Sequence, residues 1–356
     1  MIKRSIVPCA QSQSNFSSIN CLKLWIKMEQ VVSSSNDTEN GLNLQPALSP
    51  DENFANSIKI LFGSSKDTTI EQKKQILANR CSEITKFNFA EVMALFPEDN
   101  NLIITDILIT IASNAKNMSD FQIIDESATR QKLTVRSMSE EMVCAIAKMT
   151  KLKILKIQHY FSISFSLLME LCGMLPSLKK LFFKIEAEPN FAISNLNVFQ
   201  KCFGHLEIFQ FCPFSNEKRL EADFRESLTL ECIRYLPNLI LLGDPEYFVD
   251  MLPTCLYYES LANTDQSKLK YLALRVDQKI PKNALSKFPG VELMHINWVE
   301  KNQPHLGYDV PELLEFEHLS VLIMSDLGSK YSIYIKKFLM VYGKQLTRLI
   351  LLFPQS

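Results

Sequence analysis

The apolar residues of this chain recur in one short pattern, apolar-x-x-apolar-x-apolar, from residue 152 onward. Eight copies follow one another, and 22 to 33 residues, about 28 on average, separate their first positions. A pattern repeated at such a period is typical of proteins built from stacked repeats. The alternation within each copy predicts a short β-strand. The copies are Leu152/Leu155/Ile157, Leu178/Leu181/Phe183, Leu206/Phe209/Phe211, Leu239/Leu242/Asp244 (third apolar residue lost), Leu269/Leu272/Leu274, Val291/Met294/Ile296, Leu319/Leu322/Met324 and Leu346/Leu349/Leu351.

The segments between these strands carry apolar residues three and four positions apart, which predicts helices. The clearest of them are 140–149, 165–175, 224–236 and 332–342. Pro176, Pro237 and Pro289 stand just before three of the strands, where proline ends a preceding helix and favours an extended entry. Each repeat is therefore predicted as a strand, a turn and a helix. Because one such repeat cannot bury its own apolar side chains, the repeats must stack.

These repeats resemble the irregular leucine-rich repeats of the ribonuclease-inhibitor-like and F-box-associated kind, over about residues 84–352. The resemblance implies an α/β solenoid, a horseshoe with parallel strands on its concave side and helices on its convex side. The Asn or Cys that this family often places after the strand motif is mostly absent, and Cys212 is the nearest match. Residues 45–82 lack the Leu-Pro opening of an F-box. A multidomain α/β protein is the alternative, but it predicts Gly-rich turns that the nine glycines do not supply.

The chain is predicted to have three parts. Residues 1–50 are rich in Ser, Asn and Gln, which predicts a disordered tail. Residues 51–83 are expected to form two short helices, the second starting near Thr68 or Thr69, as an N-terminal cap or a degenerate adaptor-binding segment. The first helix is expected to present the apolar residues Phe54, Ile58, Ile60 and Leu61. Residues 84–356 would form the solenoid, whose start is marked by Ile84/Phe87/Phe89.

Composition and charge narrow the classes of function. Hydrophobic residues make up 47% of the chain and charged residues 22%, as in a folded protein, and no apolar run approaches the ~20 residues that a membrane helix needs. Lys plus Arg number 38 against 39 for Asp plus Glu, so no overall field would draw the chain to nucleic acid or an anionic membrane. The nine scattered cysteines include no Cys-x-x-Cys pair and indicate reduced thiols. We therefore expect a cytoplasmic or nuclear protein.

No phosphate-binding, dinucleotide-binding, zincin or hydrolase motif is present in the sequence. The five histidines are isolated, and His205 and His318 each precede the first Leu of a repeat. That position favours a turn or capping role over metal ligation. We therefore expect no catalysis, no cofactor and no metal site.

Residues between the pattern positions point to the opposite face of each strand, where a partner would bind. Two features of that face are candidate sites. The first is an apolar stripe formed by Ile208, Leu241, Tyr271, Leu293, Val321 and Ile323. An exposed stripe indicates a partner site, and the alternatives are a shifted register or a covering loop. The second is a basic patch formed by Lys153, Lys156, Lys179, Lys180 and Lys184. The alternative is that these lysines are ordinary solvated charges.

These features predict a non-catalytic module that binds a protein partner on the concave face of the repeats. The alternative is a substrate-recognition subunit of a cullin-type, F-box-like ubiquitin ligase, which would require residues 51–83 to bind the ligase's adaptor. Nucleic-acid binding through the lysines is least favoured, and no membrane partner is expected. The last pattern copy stands close to Ser356 with no helix after it. The chain is therefore expected to be a fragment of a longer repeat protein or to self-associate through this edge.

Overall fold

A computed structural model of the chain describes residues 49–63, 69–93, 95, 101–124, 135–157, 160–243, 268–276, 288–298, 316–325 and 332–351. The chain divides into a first unit, Leu42–Leu239, and a second unit that contains Ile240–Ser356. Nearly all of the predicted tail, residues 1–48, lies outside the described residues. No helix within these ranges combines the length and the apolar character that a membrane crossing requires.

Two helices open the first unit, α1 (Pro50–Gly63) and α2 (Ile70–Arg80). The predicted start of the second helix is confirmed by a capping box, in which the Gln72 N–H donates to the Thr69 hydroxyl and the Thr69 N–H donates to the Gln72 side chain. α1 buries Phe54 and Ile58, which lie one turn apart. The predicted apolar face is wrong at Ile60, which is 68% exposed. This residue follows Ile58 by two positions and so lies more than half a turn away from it.

The first unit is built around a parallel sheet. Its described strands are β1 (Lys86–Asn88), β2 (Asp120–Ile123), β3 (Arg136–Ser137), β4 (Ile154–Ile157), β5 (Phe161–Ser162), β6 (Lys180–Glu186) and β7 (Ile208–Phe214). Strands β1, β2, β4, β6 and β7 pair side by side in that order, and β3 pairs with β5 separately. The connections contain helices α3 (Ala90–Met93), α4 (Asn101–Asn114), α5 (Glu140–Ala147), α6 (Phe165–Met174) and α7 (Leu196–Phe203), and α8 (Lys218–Tyr235) follows β7. Parallel neighbours require such crossovers.

Local sequence explains where several of these helices begin and end. Helices α5, α6 and α7 start after Ser139, Ser164 and Asn195, whose side chains each accept a hydrogen bond from the backbone N–H three residues later. A cap of this kind stabilises a helix by about 1 kcal/mol. Helices α6 and α8 end two residues before Pro176 and Pro237. The predicted effect of these prolines on the preceding helix is therefore confirmed.

The predicted alignment of the repeats is confirmed by the register of the strands. Leu155, Leu181 and Phe209 are direct neighbours on β4, β6 and β7, and each is fully buried. The ring centroid of Phe209 lies 5.4 Å from that of Phe203 in α7, which lies 5.9 Å from that of Phe165 in α6. The pattern residues therefore face the helices. Burying a side chain of this size stabilises the fold by about 1.5–3 kcal/mol.

The second unit repeats the arrangement with fewer described elements. These are β8 (Leu241–Gly243), β9 (Tyr271–Val276), β10 (Leu293–Trp298), β11 (Val321–Ser325), α9 (Ser332–Tyr342) and β12 (Arg348–Leu351). Strands β9 to β12 form a parallel sheet in chain order. Leu272, Met294 and Leu322 are direct neighbours in it and are fully buried. The chain is thus an α/β protein with parallel sheets, and the predicted class is confirmed at that level.

Leu181→Ala is expected to lower the free energy of unfolding by about 2–5 kcal/mol, because it leaves a cavity where a fully buried side chain stood. Lys180→Ala is the matched control, since this neighbouring side chain is half-buried on the other face of β6. We expect it to cost less than about 1 kcal/mol. Urea unfolding of the full chain, followed by circular dichroism, measures both values. Equal losses would contradict the register.

Candidate partner-binding site

In the first unit, one face of the sheet points away from the helices and carries basic, aromatic and amide side chains. We call it the lysine face, and its residues include Lys156, Lys180, Phe182, Lys184, Gln210 and Phe214, together with the acidic residues Asp120 and Glu186. Alternation along each strand places these residues opposite the pattern residues that face the helices. Lys156, Phe182 and Gln210 form one row across β4, β6 and β7. Strands far apart in the sequence therefore contribute to one continuous surface.

The structure brings together three of the five residues of the predicted basic patch. The three on the lysine face are half-buried, and they are Lys156, Lys180 and Lys184. Lys153 and Lys179 each stand one residue before a strand and are exposed. The Lys179 ammonium lies 3.3 Å from the Glu207 carboxylate. These two lysines of the predicted patch therefore lie just outside the strands that carry the lysine face.

Two lysines of this face lie over aromatic rings. The ammonium nitrogen of Lys156 is 4.8 Å from the ring centroid of Phe182, and that of Lys184 is 5.7 Å from the centroid of Phe214. A cation over a ring stabilises the pair by about 0.5–1 kcal/mol at an exposed site. Phe182 is only 6% exposed. These contacts hold both ammonium groups close to the sheet and limit their freedom in solvent.

Gln210 is a buried polar residue in the middle of the lysine face. It lies beside Phe182 in register and is 1% exposed. Neither its amide nitrogen nor its amide oxygen has a hydrogen-bond partner in the described part of the chain. A buried amide without a partner costs about 1–3 kcal/mol. Sequence alone could not reveal this group, because a glutamine at an outward strand position predicts a solvated side chain.

The two carboxylates of the lysine face, those of Asp120 and Glu186, are engaged with other groups. Asp120 interacts with Gln122 and Lys86, whereas Glu186 accepts hydrogen bonds from Ser137 and Ser162. No carboxylate of the described residues forms an ion pair with Lys180 or Lys184. The face therefore has a local positive charge in a chain whose formal net charge is −1.

The predicted apolar stripe is not an exposed surface. Four of its members are only 3–8% exposed, namely Leu241, Leu293, Val321 and Ile323. The other two, Ile208 and Tyr271, are half-buried. In the second unit Leu293, Val321 and Ile323 pack together, with Tyr271 and Ile350 against them. The predicted register is right, but the predicted exposure is wrong, because apolar side chains on neighbouring strands bury one another.

The remaining titratable groups are dispersed. Burial, and next the charge of Lys179, lowers the pKa of His205, whose Nε2 has no hydrogen-bond partner among the described residues. Within those residues, no three His, Cys, Asp or Glu side chains are grouped as metal ligands. The side chains of three histidines predicted to be isolated lie outside the description, and they are His159, His295 and His305.

Strand β12 lies at the edge of the second sheet. All four of its residues are half-buried, whereas Leu322 and Met324, the β11 neighbours of Leu349 and Leu351, are fully buried. The preceding helix exposes three consecutive apolar residues, Leu339 (42%), Met340 (77%) and Val341 (44%). Apolar side chains are therefore partly open to solvent on both faces of this edge.

Neither a protein-family model nor a curated protein sequence matches the chain. Among solved structures, the crystal structure of a protein from Bacteroides fragilis is similar over 93% of this chain and 81% of its own, with 12% sequence identity and a TM-score of 0.34. A likeness this weak supports no argument about fold or function.

Two buried thiols are expected to resist alkylation in the folded chain. Burial raises the pKa of Cys81 to about 12 and that of Cys172 well above its usual range, and the thiolate is the reactive form. Cys144 is exposed and serves as the internal control. Iodoacetamide at about pH 8, followed by peptide mass mapping, should label Cys144 first and the two buried thiols only after denaturation. Equally fast labelling of Cys172 would contradict its burial.

Proposed function

We propose that this chain is a non-catalytic protein-interaction module, built as a leucine-rich-repeat solenoid, that binds a protein partner in the cytoplasm or nucleus. The partner would bind the sheet face that points away from the helices. The observation that carries this proposal is the lysine face, where Lys180 and Lys184 have no acidic partner and the buried amide of Gln210 has no hydrogen-bond partner in the described part of the chain. Ammonium groups without an acidic partner bind a complementary acidic surface favourably.

The order of the strands supports the solenoid. In each unit the strands of the main sheet are parallel and lie side by side in chain order. A doubly wound α/β domain would instead reverse its strand order at a switch point. Strand-and-helix units in chain order are the arrangement in which each repeat contacts only its neighbours.

The packing of the first sheet supports the choice of surface. Parallel sheets normally have both faces covered, yet the described helices α6 and α7 pack on the face of Phe209 alone. Solenoid proteins use the face left free by the helices as an extended binding surface. On this face Lys156 and Lys184 are held over rings, so these two side chains lose less freedom when a partner binds.

Site-specific photo-crosslinking tests this proposal. A photo-reactive residue at position 180 or 208, on the proposed binding face, is expected to capture a protein partner in cells that naturally produce the chain. The same residue at position 219 is the control, since the Arg219 side chain is 93% exposed on α8. Adducts from position 219 alone, or none from either face position, would overturn the proposal. A ubiquitin-ligase adaptor captured from Ile60, which is 68% exposed on α1, would favour the ligase alternative.

We also propose that a second copy of the chain pairs with the edge formed by β12 and α9. An edge strand presents unpaired backbone groups, and the same edge on two copies can form a symmetric dimer. The exposed side chains of Met340 and Val341 would be buried in that contact.

Light scattering over micromolar concentrations is expected to show a reversible dimer. Met340→Lys should weaken the association by about 1–2 kcal/mol, because an exposed apolar side chain is lost from the contact. Ile60→Lys is the matched control in the first unit and should leave the dimer unchanged. A wild-type chain that stays monomeric throughout would refute self-association at this edge.

A further inference from the structure

We infer that the lysine face recognises an extended acidic segment of a protein partner, in which carboxylates alternate with other residues. This inference rests on the proposed function, because it specifies the chemistry of the partner at the same face. Three observations support it. They are the spacing of the lysines, the amide of Gln210 that has no hydrogen-bond partner among the described residues, and the Lys156 ammonium group that lies over the ring of Phe182.

The lysines stand at regular steps along the direction of the strands. Lys180 and Lys184 are four residues apart on the same face of β6, which separates their α-carbons by about 13 Å. Lys156 is level with Phe182, midway between them, on the neighbouring strand. The steps along the strand direction are therefore about 6.6 Å. An extended peptide has the same interval between alternate side chains, so the pattern acid-x-acid-x-acid matches the three ammonium groups.

Gln210 adds a group that suits a peptide backbone. Its side chain offers one amide donor group and one carbonyl acceptor, as a peptide bond does. It lies in the same row as Lys156, the middle lysine. Both polar atoms are buried without a hydrogen-bond partner among the described residues, so a small rearrangement that pairs them with a bound peptide would remove the free-energy cost of burying them unpaired.

The same face is poorly suited to nucleic acid. Single strands bind by stacking bases on open aromatic rings, but Phe182 is 6% exposed beneath Lys156. A protein segment needs no stacking on an open ring, so it avoids this conflict.

Fluorescence anisotropy with the full chain tests the inference. The probes are a peptide with glutamate at every second position, one of equal composition with its glutamates in a block, one with glutamine replacing glutamate, and an oligouridylate of equal charge. We expect the alternating peptide to bind most tightly. Lys180→Glu with Lys184→Glu should weaken its binding at least about tenfold. The charge-matched control, Lys153→Glu with Lys201→Glu, changes two exposed lysines outside the face and should have little effect.

Gln210→Leu separates recognition from folding. Removing a buried amide without partners should raise the melting temperature of the chain, while the alternating peptide binds more weakly. Unchanged peptide affinity in this variant would overturn the assigned role of Gln210. Equal binding of the block peptide or the oligouridylate, or equal weakening by the control pair, would overturn the whole inference. If position 180 captures a protein partner but no glutamate peptide binds, the inference fails and the proposed function stands.

Discussion

Burial of equivalent apolar side chains on neighbouring parallel strands is the interaction on which the rest of this structure depends. Leu155, Leu181 and Phe209 form one such row in the first unit, and Leu272 belongs to the corresponding row of the second. A slip of one residue would turn Lys180 and Lys184 toward the helices and expose the apolar row. Because that exchange costs several kcal/mol per strand, the register and the composition of both faces are set together.

The sheet face opposite the buried pattern residues differs in composition between the two units. In the first unit it carries lysines held over rings around a buried amide, and in the second it carries the cluster of Leu293, Val321 and Ile323. Apolar neighbours on adjacent strands can bury each other, whereas lysine ammonium groups must stay near solvent or an acidic partner. The first unit therefore keeps its ammonium groups close to solvent, and the second has largely buried its own apolar side chains.

The buried amide of Gln210 lowers the stability of the fold and, in the proposed function, takes part in binding. A leucine at this position would fit beside Phe182 without an unsatisfied polar group. A residue that lowers stability without any partner in the described chain is typical of a binding surface that is completed by another molecule. The lysines support the same interpretation, because ordinary solubility does not require them to be ordered over aromatic rings.

The sequence by itself determined the parallel strands, their registers and the ends of helices such as α6 and α8, because each follows from periodicity or from a local signal such as Pro176. It could not determine exposure. Ile60 and Leu293 have similar apolar side chains, yet one is 68% and the other 8% exposed. Burial depends on side chains that are about 28 residues away in the sequence, and so only the tertiary structure decided which lysines share a face and that Gln210 has no hydrogen-bond partner among the described residues.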